Sequence, residues 1–194
     1  MKAKKRRVSM SIKFIAHCLH VEQARACKSL GIAVMHTCDY ARSIGEVMAG
    51  SVTDFSLHCF NSETVRLLQK LGASRVTLHP ELNLAQMRDI KKPIDTEAVI
   101  YGKVPLMQLG VPIMAGALVD RKKTNFFVHE DIVYNSVPLF MADYVNDIIK
   151  AGITYGRLIF TTETVKEVND VIDAYLRRKA LIINFTRGKF FSRV

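Results

Sequence analysis

Short apolar runs alternate with helix-patterned segments along most of this chain, and the connections between them are short. That rhythm constrains the fold more than any other feature. Residues 12–19, 32–36, 55–60, 76–78, 98–101 and 157–160 read as strands, with Phe55, Leu57 and Cys59 on one face. Residues 21–30, 63–71, 82–90, 140–150 and 163–177 read as helices, and Gly31, Gly72 and Gly152 mark three helix ends. Asn61 or Ser62 caps the second helix, and Pro80 and Glu81 open the third. A weakly patterned helix is expected at 40–48 and a last strand at 180–185. Tightly joined strand–helix–strand units give parallel strands covered by helices. About six such units predict an α/β fold, an incomplete TIM-type (β/α) barrel with parallel strands and outer helices. An open doubly wound sheet satisfies the same count.

The stretch 104–138 breaks the rhythm. It holds three of the five prolines, several short apolar runs and the turn Asp120-Arg121-Lys122-Lys123. It reads as a hairpin-rich excursion. With 194 residues the chain suits one domain, expected over 12–194, after a basic tail over 1–11 expected to be disordered.

Lys and Arg number 28 against 18 Asp and Glu, a formal charge of +10. Such an excess attracts polyanions, chiefly RNA or DNA, or anionic small molecules. Lys2, Lys4, Lys5, Arg6 and Arg7 account for part of it as a solvated terminus. The four cysteines, Cys18, Cys27, Cys38 and Cys59, are spaced 9, 11 and 21 residues apart and match no C-x-x-C motif. A reducing, cytoplasmic compartment follows. No apolar run approaches the ~18 residues that span a bilayer, so no membrane association is expected. Lys13 and His17 interrupt the signal-like segment 8–19. G-x-G-x-x-G, the P-loop, G-x-S-x-G and H-E-x-x-H are all missing, and no metal site is expected.

Several strings together resemble a known family. They are Leu57-His58-Cys59-Phe60-Asn61-Ser62, Thr77-Leu78-His79-Pro80-Glu81-Leu82, Tyr101-Gly102-Lys103-Val104-Pro105-Leu106-Met107, Leu118-Val119-Asp120-Arg121, Asn135-Ser136-Val137-Pro138-Leu139, Arg157-Leu158-Ile159-Phe160 and Thr186-Arg187-Gly188. In this order they are similar to the collagenase-like U32 peptidase family, in the C-terminal part of its barrel, over about residues 50 to 194. The resemblance implies a (β/α) barrel and a peptidase label resting on a few members. It also implies relatives that hydroxylate RNA bases or quinone precursors without oxygen, using an iron–sulfur cluster on four cysteines. The stretches 108–114 and 129–133, where the family places cysteines, have none here, so no cofactor is expected. Ile159 stands where the family has an acid, and Lys189 where it often has His. The family's opening strands are not found before Val8. A sheet so truncated exposes an edge, and a homodimer, a partner chain or a fold-back of residues 8–50 would cover it.

In a parallel barrel, chemistry gathers at the C-terminal ends of the strands. There Glu81 and His79 are the candidate acid/base pair, or else a helix-dipole partner and a packed ring. Asn61, Tyr101, Lys103 and Asn135 are candidate substrate contacts. Asp120 and Arg121 bind substrate or form an ordinary turn. Arg157 and Arg187 fork onto phosphate or carboxylate, or pair with acids inside the mouth. Ser62 and Ser136 read as cap or turn residues, and Cys59 as core. Three functions stay open: a subunit or cluster-less relative of enzymes acting on RNA or another anionic substrate, a collagenase-like peptidase, and a non-catalytic accessory binding protein.

Overall fold

The computed structural model describes residues 11–111, 117–121, 123–181 and 184–192. Five of the barrel strands come early: β1 (Lys13–Cys18), β2 (Ala33–Val34), β3 (Tyr40–Ala41), β4 (Val52–Thr53) and β5 (Arg75–Thr77). β6 (Asp95–Gly102) follows. The excursion supplies β7 (Pro105–Gln108), β8 (Ala117–Val119), β9 (Asn125–His129) and β10 (Ile132–Tyr134). β11 (Leu139–Phe140) and β12 (Tyr155–Phe160) complete the set. The helices are α1 (Val21–Ser29), α2 (Ser62–Lys70), α3 (Leu84–Asp89), α4 (Val145–Lys150) and α5 (Val165–Arg177). Among the described residues, no helix is long and apolar enough to cross a membrane.

The main sheet runs β2–β1–β12–β6–β5–β4–β3, all parallel, and β11 adds to β6 antiparallel. Read from β3, that order follows the chain to β12 and then returns to β1 and β2. The sheet therefore curls round on itself, and its one break falls between β2 and β3, which are consecutive strands. Only residues 35–39 join them, a span of at most about 20 Å. A flat sheet of seven strands would hold those edges about 29 Å apart. The result is the incomplete barrel the rhythm predicts. Residues before 50 supply three of its strands, and β1 pairs with β12 from Lys13–Tyr155 to Cys18–Phe160.

Helices cover the outside. Val168, Val171, Ile172 and Tyr175 form the buried stripe of α5, at i, i+3, i+4 and i+7. Thr164 caps that helix, its side chain accepting from the Glu167 N–H. The Tyr175 hydroxyl donates to the Ile100 carbonyl and accepts from the Met141 N–H, fixing α5 to β6. Gly102 ends β6 with φ +108°, and a Cβ there would overlap the Ile159 carbonyl, so the crossing of β6 and β12 requires glycine.

Three expectations are corrected or left aside. Residues 55–60 are not a strand. Phe55–Leu57 is a 3-10 turn, because the Asp54 carboxylate accepts from the Ser56 N–H and bends the chain, and His58 takes a left-handed conformation. Residues 40–48 are not a helix. Tyr40–Ala41 pairs as β3, and Glu46 accepts from the Arg42 N–H and the Ser43 hydroxyl, which holds a tight turn there. The strand expected at 180–185 falls partly on residues 182–183, outside the described residues, as does the tail over 1–10. The hairpin reading of 104–138 holds: β7–β10–β9–β8 is a separate antiparallel sheet.

Candidate functional site

Alternation along the strands sends one set of side chains to the helices and the other into the barrel. The inward set is polar where a barrel core is ordinarily apolar. Glu97 of β6 is 0% exposed and Arg157 of β12 is 3% exposed. All three ends of the Arg157 guanidinium are engaged: Nε donates to Glu97 Oε1 at 2.5 Å, Nη1 to Asp54 Oδ1 at 2.7 Å and Nη2 to Thr77 Oγ1 at 2.8 Å. The Thr77 hydroxyl in turn donates a hydrogen bond to the Thr53 carbonyl. Arg75 Nε faces Glu97 Oε2 at 3.3 Å. The Tyr40 ring lies 3.8 Å from the Arg157 guanidinium, and its hydroxyl donates to Glu97. Two guanidinium groups meet two carboxylates, so the interior is balanced in charge.

Toward the C-terminal ends of the strands this network floors a cavity of about 120 Å³. Asp54, Arg157 and His17 form its base, Tyr40 and Arg42 stand at its side, and Ile132 and Tyr134 of the hairpin sheet roof it. At roughly 30 Å³ per molecule it has room for about four waters or one small group. Burial, then the neighbouring Arg157, pushes the His17 imidazole down to about 4. Its Nδ1 is buried without a partner. Burial alone would raise Asp54, but the Arg157 charge and hydrogen bonds from Arg157 and Ser56 bring its carboxyl below the usual range.

All six histidines, at positions 17, 20, 36, 58, 79 and 129, lie in or just beyond the last residues of a strand on this side of the barrel or on the sheet that roofs it. Four of them, His20, His58, His79 and His129, join two aromatic groups. The His58 and Phe60 rings are parallel to within 4°, and His79 packs across both at 5.3 and 4.3 Å. His58 and Phe60 are exposed. On the opposite side Phe127 stacks near His129 at 6.2 Å, His20 meets His129 edge-on, and the Lys103 ammonium stands 5.1 Å from the Phe127 ring.

The residues singled out from sequence fall into three groups. Glu81 is exposed and its backbone N–H donates to His79 Nδ1, so the two are neighbours at the mouth. Burial lowers His79, with His58 acting the same way and Glu81 opposing. Lys103 also faces the mouth, donating to the Thr162 hydroxyl. A second group has structural partners. Asn61 caps α2, accepting from the Glu63 and Thr64 N–H groups. Tyr101 donates to Glu163. Asn135 accepts from the Ser136 N–H, and Asp120 from the Thr124 N–H in the turn that carries Arg121. Third, both arginines take the ion-pair alternative: Arg157 in the interior network, and Arg187 in a two-pronged pair with Asp143 at 2.6 and 2.8 Å. Sequence reasoning missed Glu97, Asp54, Arg75, Thr77 and Tyr40.

The cysteines do not fit an iron–sulfur cluster. Cys18 and Cys27 touch at 3.8 Å on β1 and α1, Cys59 is buried, and Cys38 is exposed. Among the described residues no three His, Cys, Asp or Glu side chains are gathered to hold a metal. Burial raises Cys59 to about 12, the reverse of what a thiolate ligand needs.

Comparison with known proteins decides the family. The model of peptidase family U32 matches residues 51–189, more than half of the chain. The chain belongs to peptidase family U32. No curated protein and no solved structure matches it. The U32 match contains Asp54, Arg75, Thr77, Glu97 and Arg157, but not β1 to β3. The strands β1 to β3, with His17 and Tyr40 on them, therefore precede the matched region of this U32 barrel.

Proposed function

We propose that this U32-family barrel binds single-stranded RNA, or a chemically similar anionic strand, across its C-terminal mouth. The observation that carries this reading is the presence of two aromatic groups, His58–Phe60–His79 and Phe127–His129–His20, together with the cation Lys103 beside Phe127 and the cation Arg42 at the cavity. Proteins that hold single strands combine a cationic groove for phosphates with rings on which bases stack. The +10 charge supplies the long-range attraction. Arg157 takes no part in contacting the strand, because its donors are committed to Glu97, Asp54 and Thr77. The peptidase reading has the family's name behind it. Ser56 lines the cavity, but its hydroxyl is directed at the Arg42 carbonyl and not at an imidazole.

Affinity for a short unstructured RNA should fall steeply with salt. If about four phosphates are neutralised, a slope near −0.7 per phosphate predicts roughly a 50-fold loss between 50 and 200 mM salt. Fluorescence anisotropy on the full chain reads this. Absence of binding at the lower salt, or cleavage of casein by the same preparation without RNA binding, would defeat the proposal.

A further inference from the structure

The hairpin sheet ends in β8. Among the described residues β8 pairs on one side only, with β9, through Ala117–Phe127, Leu118–Phe126 and Val119–Asn125. Leu118 and Val119 are 41% and 56% exposed. Successive residues of a strand point to opposite faces, so β8 shows one partly exposed apolar side chain on each face. Soluble proteins usually blunt or cover such an edge. The opposite edge, β7, is blunted: Pro105 has no N–H to offer, and the β7–β10 pairing is irregular between Val133 and Tyr134. No proline or irregularity interrupts β8 against β9.

Charge along the sheet indicates what covers β8. β9 starts beside the turn carrying Asp120, Arg121 and Lys123, net basic, and ends at the turn carrying Glu130 and Asp131. The sheet is thus basic at one end and acidic at the other. A second copy laid antiparallel along β8 brings the basic end of each sheet beside the acidic end of the other. Parallel addition would set like against like.

We propose that β8 is a self-association edge: two copies pair β8 to β8 antiparallel, with Leu118 facing Leu118 across a twofold axis. Two four-stranded sheets become one of eight, and the exposed apolar side chains of β8 gain a partner. The interface is isologous, so it closes at the dimer. It lies on the roof of the barrel mouth, and it does not depend on the RNA reading.

The test uses the full chain carrying Cys38→Ser, which removes the exposed thiol. Light scattering after size exclusion should give twice the 21.9 kDa chain mass at micromolar concentration. Adding Leu118→Cys should produce a dimer linked through that residue under mild oxidation, because directly opposed residues of an antiparallel pair bring their Cβ atoms to about 5 Å. Leu118→Lys, which sets two like charges face to face, should return the chain to a folded monomer. Arg121→Glu with Lys123→Glu should weaken the dimer about tenfold, and adding Glu130→Lys with Asp131→Lys should restore it. A monomer at every concentration overturns the proposal. So does a dimer that survives Leu118→Lys with no cross-link through residue 118.

Discussion

Replacing Glu97 with alanine should lower the unfolding free energy by about 3–5 kcal/mol, the usual result of removing one member of a buried ion pair. Glu97 is fully buried and answers both Arg157 and Arg75. Without it Arg75 loses the carboxylate it faces, and Arg157 keeps only Asp54. For a chain of this length the loss corresponds to a fall of roughly 6–20 °C in Tm. A second variant separates charge from packing. Glu97→Leu combined with Arg157→Met, Arg75→Met and Asp54→Asn removes all four charges and should recover a large part of the loss, since replacing a whole buried ionic network costs far less than breaking it. Chemical denaturation reads both. A cost below about 1 kcal/mol for Glu97→Ala would mean that water reaches the network and that the barrel interior is not closed.

Acid should weaken the fold before the carboxylates titrate. His17 is held neutral to about 4 in the folded chain, whereas an unfolded histidine protonates near 6.5. Between those values the unfolded state binds the extra proton, so stability falls as pH falls through that window, by up to about 3 kcal/mol. The groups facing His17 are Arg157 and Asp54 across the cavity and His36 beyond β2. Asp54 adds a further loss at lower pH. Its folded carboxyl lies below the ordinary value, so its contribution is present above the unfolded pKa and disappears as pH drops through the folded one. His17→Phe removes the first window and leaves the second. Equal slopes for the variant and the parent between pH 6.5 and 4 would show that His17 is not buried as described.

The outer layer of the fold was legible because helices and strands carry their own periodicity. The stripe of α5 and the cap at Thr164 need only local sequence. The interior was not legible, because its partners are far apart in the chain. Arg157 reaches Asp54 across 103 positions and Glu97 across 60. Glu97 escaped notice because the apolar run begins at Ala98, whereas the strand begins at Asp95. Tyr40 was assigned to a helix, so its ring was never expected against Arg157. His17 registered only as an interruption in an apolar segment. The alternation of Phe55, Leu57 and Cys59 suggested a strand, but one carboxylate at Asp54 was enough to turn the chain. The curling of the sheet has no local signal either: β1 and β12 pair across more than 130 residues, and no local pattern announces that contact.

Photo-cross-linking with a short RNA carrying 4-thiouridine, followed by mass spectrometry of the attached peptides, tests the central claim most directly. Cross-links should fall on the peptides that carry His58, Phe60 and His79 and on those that carry Phe127 and His129. Phe60→Ala should reduce the first set and weaken binding by roughly five- to 100-fold, the range for losing one stacked base. Cross-links confined to the basic segment 2–7, with affinity unchanged in Phe60→Ala, would show that the tail binds RNA and the barrel mouth does not.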